Sequence, residues 1–484
     1  MTDSQSSPSP ADILIRDALI VDGTGAPARL GDLAIKDDRI LAIGELGDCA
    51  AGRIIDARGL VLAPGFIDVH THDDRAVLAD PQMACKVSQG VTTVIVGNCG
   101  ISLSPLVSSG PPPPPLDLLS PDRNEFFDSF SSYAARLEAD PAAVNVAALV
   151  GHSTLRVGVM DALDRTASGK EIAAMRGLLE EALASGAIGL STGLFYPTAR
   201  AAETEEVIEL SRAMAGGQGI HTTHMRDEAD GVEEALEETF LIGRSAEVPV
   251  IISHHKCMGA KNYGRSHATL ARIAAAMGRQ DVGLDVYPYS AASTILNSEL
   301  VAMSARVLVS WSTPHPELAG KPLDEIAAAW QVDVDEAIGR LSPAGGIYFV
   351  MDEADVKRIL AFPNTVVGSD GLPHDRHPHP RLWGTFPRVL GRYVREDALL
   401  TLEDAVRKMS GLSARYFGLE GRGELKAGNY ADLVLFDRDE VIDLATFERP
   451  DRPSAGIHRV MVNGREVWNR GATTGERPGR LLGR

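Results

Sequence analysis

Gly65-Phe-Ile-Asp-Val-His70-Thr-His72 is a short apolar strand that ends in two histidines one residue apart. Side chains of a strand alternate between its faces, so His70 and His72 share one face. Neutral imidazoles are common zinc ligands, and here they converge without distorting the backbone. Two satisfied core histidines are the plain alternative, and the pair alone does not separate the readings. The rhythm downstream does. Short apolar strands are expected again at about 91–98, 145–151, 187–193, 219–224, 249–254, 282–287 and 365–369. Most are followed by Ala/Leu/Glu-rich helical stretches, such as Glu171–Ser185, Glu203–Ala215, Val232–Ser245 and His267–Met277. Eight strands with interposed helices predict an α/β chain folded as a (β/α)₈ TIM-like barrel over 64–415, with its chemistry at the strand C-termini. The gap from the seventh to the eighth strand is too long for one helix, so 290–350 is expected to be an inserted lid subdomain.

Outside the barrel the texture changes. Asp12–Val21, Asp32–Ile35 and Arg39–Ile43 read as short antiparallel strands, as do Ala431–Phe436, Ile457–Val462 and Arg465–Trp468 around the turn Asn463-Gly464. Two β-rich ends predict one small β-sandwich domain from 11–63 plus 416–484. Residues 1–10 are polar and Ser/Pro-rich, and are expected to be a disordered tail without signal-peptide character. The run Pro111–Pro115 reads as a stiff loop spacer.

Composition narrows the partners. Of 484 residues, 44% are hydrophobic and 23% charged, the profile of a chain with a large core. A net charge of −19 with no basic patch argues against nucleic acid. No apolar run approaches the roughly 18 residues of a membrane helix. Four scattered cysteines (Cys49, Cys85, Cys99, Cys257) without a CxxC pair fit a reducing cytoplasm.

Four more strand ends carry chemistry. The second strand ends in Cys99, a residue type that is usually a small buried hydrophobe but ligates strongly beside a metal. The fifth ends Ile220-His221-Thr-Thr-His224, and the sixth Ser253-His254-His255-Lys256. Adjacent His254 and His255 face opposite ways, so only one can be a ligand. The eighth ends Gly368-Ser-Asp370-Gly371, either ordinary turn chemistry or a carboxylate placed to move the proton of an activated water. As a set on strands 1, 2, 5, 6 and 8 they point to a metal-dependent hydrolase.

These motifs, with the closing Gly421-Arg-Gly-Glu-Leu-Lys-Ala-Gly-Asn-Tyr-Ala-Asp-Leu-Val, resemble the amidohydrolase superfamily. Through Val96-Gly-Asn-Cys-Gly-Ile-Ser, Gly151-His-Ser-Thr-Leu-Arg, Thr223-His-Met-Arg-Asp-Glu, Ile252-Ser-His-His-Lys and Gly368-Ser-Asp-Gly-Leu-Pro-His-Asp, the chain more closely resembles the D-aminoacylases, or N-acyl-D-amino-acid deacylases. The resemblance runs end to end. It implies zinc-dependent hydrolysis of a small N-acyl-D-amino acid, with one tight zinc at Cys99, His224 and His254. It implies a second, weaker metal position at His70 and His72, and Asp370 as the catalytic base. Lys256, Tyr287 and Ser293 match positions that hold the substrate carboxylate, and Phe195, Tyr348 and Met351 match an apolar wall around the substrate side chain. That wall carries no cation, so derivatives of D-Leu, D-Met or D-Phe are expected to be preferred over acidic ones. Ala302 departs from the pattern, standing where a bulkier apolar residue is expected.

Two relatives in fold are less consistent with the residues. Cyclic-amide hydrolases of the hydantoinase and dihydroorotase type resemble enzymes that bridge two metals with a carbamylated lysine at the fourth strand end, and Gly189-Leu-Ser-Thr-Gly-Leu-Phe-Tyr-Pro holds none. A deaminase would want an acid soon after the fifth-strand histidine, and Glu228, four residues after His224, offers one. A non-catalytic assembly relative should have lost several metal-binding residues, and none of the expected set is missing.

Overall fold

The computed structural model describes residues 11–108 and 110–483. The expected disordered tail, 1–10, lies outside the described residues. Eight parallel strands form the central sheet: β1 (Phe66–Asp68), β2 (Val91–Val96), β3 (Asn145–Gly151), β4 (Gly189–Gly193), β5 (Ile220–His224), β6 (Val250–Ile252), β7 (Val282–Val286) and β8 (Thr365–Val367). Each pairs with its sequence neighbour, and a parallel bridge between Thr71 and Gly371 joins the two edges just beyond β1 and β8. The expected (β/α)₈ barrel is therefore the observed fold. Strands such as β2 and β3 read as largely apolar runs because helices cover their outer face. Val94, Val150, Leu190 and Leu284 share an outer core with Met175, Leu179, Leu236 and Ile273 of the surrounding helices.

A separate apolar cluster sits under the catalytic end. Ile95, Ile220 and Val366 belong to it, together with Leu412 and Phe417. Each of those three strand residues stands four positions before Cys99, His224 or Asp370, so one apolar floor carries three functional strand ends.

The two termini build one nine-stranded sheet, joined where Val61–Pro64 pairs antiparallel with Leu433–Phe436. The sheet branches at Ala11–Ile20, and Ile15, Leu33, Ile55, Leu62, Leu433 and Met461 from both halves share one core. At its Asn463-Gly464 turn both residues have positive φ (47° and 76°), the backbone that a tight hairpin twist requires.

Between β7 and β8 the chain leaves the barrel. Ala291–Ile295, Val307–Ser312 and Ala344–Phe349 form a three-stranded antiparallel sheet with the last strand in the middle. Helices Ser298–Met303, Leu323–Trp330 and Val334–Leu341 accompany it. Ala292, Ser293, Thr294 and Leu300 of this insert wall the cavity over the barrel mouth.

Candidate active site

Five strand ends converge. His70, His72, Cys99 and Asp370 bring ligand atoms within 4.8 Å of one another, and Cys99, His224 and His254 do the same. Cys99 belongs to both groups, so its thiol is the shared corner of two adjoining donor sets. His70 Nε2 lies 3.2 Å and His254 Nε2 3.4 Å from Cys99 Sγ. Asp370 Oδ1 is 3.2 Å from His72 Nε2 and 3.5 Å from His70 Nε2. All of these residues are buried.

The backbone is bent to make this possible. Cys99, His254 and Asp370 take positive φ values of 54°, 35° and 51°, a conformation that non-glycine residues avoid and that concentrates at functional sites. Gly368 allows the close approach of β8 to β1, because a Cβ there would lie 2.4 Å from the His70 Cβ.

Electrostatics favour a cation. Burial pushes the Cys99 thiol up, yet the facing His70 and His254 override it and hold it well below its usual range. Burial would likewise raise Asp370, but the Arg381 and His70 charges and the His72 hydrogen bond keep it well below the carboxylate range. Burial would lower His72, and its hydrogen bonds to Asp370 and Cys99 raise it instead to about 9. Thiolate, carboxylate and imidazoles are the donor chemistry of zinc.

The tautomers are arranged from behind. Asp285 on β7 has Oδ2 3.3 Å from His70 Nδ1, while its Oδ1 accepts the His254 backbone N–H at 2.9 Å. A proton on His70 Nδ1 leaves Nε2 free to ligate, the usual carboxylate–histidine support of a metal site. Glu228 Oε1 lies 3.0 Å from His254 Nδ1 and supports that ring in the same way. His224 Nδ1 is buried without a hydrogen-bond partner among the described residues, which suits a ligand atom. The residues present therefore fit a zinc held by Cys99, His224 and His254, with a second position at His70, His72 and Asp370.

The neighbouring histidines turn elsewhere. His255 Nε2 meets Thr269 Oγ1 at 2.8 Å, and His221 Nε2 meets Thr192 Oγ1 at 3.0 Å.

Above the donors lies a small cavity, lined among others by Phe195, Lys256, Tyr287, Ser293, Leu300 and Asp370. Three expectations change here. Tyr348 and Met351 are not among its lining residues. Tyr348 is buried in the lid core, where its hydroxyl donates to Ile295 O at 2.7 Å and accepts from Asn297 N at 3.0 Å. Met351 lies behind Tyr287, with Sδ 4.0 Å from the Tyr287 hydroxyl. Ala302 is exposed, whereas Leu300 of the same helix reaches the cavity, so the small residue at 302 does not set its width.

Lys256 does line the cavity, but its ammonium is not free: it donates to the two Glu228 oxygens at 2.8 and 2.9 Å. Ser293 is the opposite case, a buried hydroxyl with no hydrogen-bond partner among the described residues.

Several contributors escape the reading of strand ends. Asp285 and Glu228 orient the histidines. Arg381 is fully buried, 2.9 Å from Asp370 Oδ2, with its guanidinium over the Tyr287 ring at 4.5 Å. Tyr196 packs on His224, ring centres 5.0 Å apart. The available signal was a charged residue inside an apolar strand, Leu284-Asp285-Val286.

Known proteins share this arrangement. The amidohydrolase family profile matches residues 53–468. A D-aminoacylase of Alcaligenes xylosoxydans xylosoxydans is 56% identical over 99% of both chains. A solved D-aminoacylase, described for its binuclear metal centre with one-metal activation and second-metal attenuation, superposes with a TM-score of 0.96 at 54% identity, covering 98% of this chain and 100% of that one. An N-acyl-D-glutamate deacylase from Bordetella bronchiseptica, solved with zinc and a phosphonate mimic of the tetrahedral intermediate, has a TM-score of 0.95 at 48% identity, covering 98% and 99%. Matched over nearly its whole length in both sequence and fold, the chain belongs to the amidohydrolase family and, within it, to the D-aminoacylases.

Proposed function

We infer that this protein is a zinc-dependent hydrolase that cleaves the linear amide of N-acyl-D-amino acids to a carboxylate and the free D-amino acid. The observation that carries the reading is a buried, Cys99-centred donor set beside the Asp370 carboxylate, at the floor of the cavity over the barrel mouth. Zinc bound there would polarise the acyl carbonyl and acidify water for attack. Cys99, His224 and His254 would hold it, and His70, His72 and Asp370 would offer the second position.

Asp370 enters the reaction as an acceptor, because Arg381 and the histidines keep its carboxylate charged at neutral pH. It takes a proton from the attacking water and returns it to the nitrogen of the departing amine as the C–N bond breaks. The substrate carboxylate docks against the unpartnered Ser293 hydroxyl, the Tyr287 hydroxyl and the cavity-facing edge of the Lys256–Glu228 pair. Phe195 stands against His224 at a ring-centre distance of 5.6 Å and gives the substrate side chain an apolar wall with Leu300 and Met258.

That wall supports a preference for apolar side chains. Among the described lining residues, Lys256 is the single Lys or Arg, and Glu228 neutralises it. A second carboxylate on the substrate would be desolvated without a partner. A panel of N-acetyl-D- and N-acetyl-L-amino acids, read by release of free amine, tests both statements. The D-Leu, D-Met and D-Phe derivatives should be fastest. Fastest turnover of N-acetyl-D-Glu or N-acetyl-D-Asp would overturn the side-chain assignment, and no amine release from any D-derivative would overturn the activity.

A further inference from the structure

Beneath the site lies a charge cluster that the hydrolytic chemistry does not use. Lys86 belongs to the short helix Ala84–Val87 just before β2, and it is completely buried. Its ammonium donates to Asp68 Oδ2 at 2.8 Å and to Ser369 Oγ at 2.9 Å, and lies 3.1 Å from Asp73 Oδ2. Asp68 and Asp73 are also fully buried.

Energetics alone does not explain such a cluster. Buried ion pairs lose about as much in desolvation as they gain in attraction, and apolar groups of similar volume often serve stability equally well. What charged groups add is direction, and here every directed contact lands beside a functional residue. Asp68 Oδ1 accepts the Ser369 N–H at 2.8 Å, and the His70 N–H lies 3.4 Å from it. Ser369 Oγ accepts the Gly371 N–H at 3.2 Å, and the Asp370 N–H donates to His70 O at 2.7 Å. Asp370, at φ 51°, is thus clamped on both sides in a backbone conformation it would otherwise leave.

We propose that Lys86 is a positioning residue: by bridging Asp68 on β1 to Ser369 just after β8, its buried ammonium sets the spacing between the His70/His72 pair and Asp370. Lys86 touches neither substrate nor the donor atoms and acts only through this frame. The kinetic side of the proposal rests on the deacylase reading above. The geometric side does not.

The test uses Lys86→Met, Ser369→Ala and the double variant of the full chain, each assayed for zinc per chain, kcat and KM separately, with a crystal structure of Ser369→Ala. A displacement of about 1 Å in reacting groups commonly costs on the order of 10²-fold in rate. Lys86→Met should therefore lower kcat about 100-fold and Ser369→Ala about 10-fold, with KM within about twofold and zinc content unchanged. The double variant should be no worse than Lys86→Met, because both substitutions cut one link. In the Ser369→Ala crystal, the Asp370 carboxylate should have moved relative to His72. Should Lys86→Met fail to fold, Ser369→Ala decides alone. A lower melting temperature with normal kcat, or independent multiplying losses in the double variant, overturns the proposal. If the wild type hydrolyses no acyl amino acid, the functional reading falls, and the position of Asp370 in the Ser369→Ala crystal still decides this one.

Discussion

Replacing Cys99 with alanine separates a packing cysteine from a ligating one, because the two roles predict losses of different kinds. Cys99 is 1% exposed, so a pure packing role predicts only the loss of one buried sulfur and the small void it leaves. That amounts to about 1–2 kcal/mol, a shift of a few degrees in Tm, with metal and turnover intact. The ligand role predicts something larger. The thiol is 3.2 Å from His70 Nε2 and 3.4 Å from His254 Nε2 and is the corner common to both donor groups. Its removal leaves His224 and His254 as a two-histidine site, too few protein ligands for a tight zinc. Zinc at 100 times its Kd stabilises a folded protein by about 2.7 kcal/mol, an increment the variant should lack at every zinc concentration tested. The assay is metal analysis of purified Cys99→Ala beside wild type, with Tm measured against added zinc and deacylation measured on the same samples. One zinc per chain retained, a Tm that still rises with zinc, and near-normal kcat would together refute the assignment.

Other outcomes follow from the same geometry. Asp370→Asn should keep its zinc and lose about 10²–10⁴ in kcat, since proton transfer by a positioned carboxylate contributes about that much; kcat near wild type removes the base role. Lys256→Ala should lower kcat/KM for every acyl amino acid with zinc in place, and should also lower Tm, because it removes the ammonium that pairs with the buried Glu228 carboxylate and leaves that charge to the histidine rings. Lys256→Ala combined with Glu228→Gln should recover the Tm but not the kcat/KM, and full kinetic recovery would exclude Lys256 from carboxylate docking. Acid stability should depend on Glu206, whose carboxyl burial would raise but which the His152 hydrogen bond and the His152 and Arg156 charges bring down to about 2. A depressed carboxyl stabilises above its unfolded value and ceases to as pH falls through its folded value. Urea unfolding of wild type should therefore weaken progressively as pH falls from about 4.5 toward 2, and Glu206→Gln should flatten that slope; an unchanged slope places the acid sensitivity elsewhere.

Much of the architecture was legible along the chain because it is written in local periodicities. Short strands recur eight times, most of them followed by helical stretches, and a parallel barrel is what such units close into. The functional strand ends were legible for the same reason: His70 and His72 share a face by the two-residue period of a strand, and Cys99, His224, His254 and Asp370 each stand at the end of a strand. Which groups meet across the barrel was not legible. Asp285 supports His70 and His254 from β7, and Lys86 joins β1 to β8 across 283 residues. No spacing within a segment records such pairings, because closure of the sheet decides them. The lid shows the limit from the other side. Tyr348 has the residue type of a pocket wall, but its strand is the middle one of the inserted sheet, where it stands opposite Ala292 and Val307. That register carries its hydroxyl to the backbone of Ile295 and Asn297, away from the cavity. Lys256 ends a barrel strand as expected, yet its charge is taken by Glu228, 28 residues earlier in the chain. Local sequence determines which side chains a strand or helix can present, because backbone geometry repeats over a few residues. Which partner each buried charge finds is decided only when the elements pack, because leaving it unpaired in a low-dielectric interior costs more than any local preference supplies.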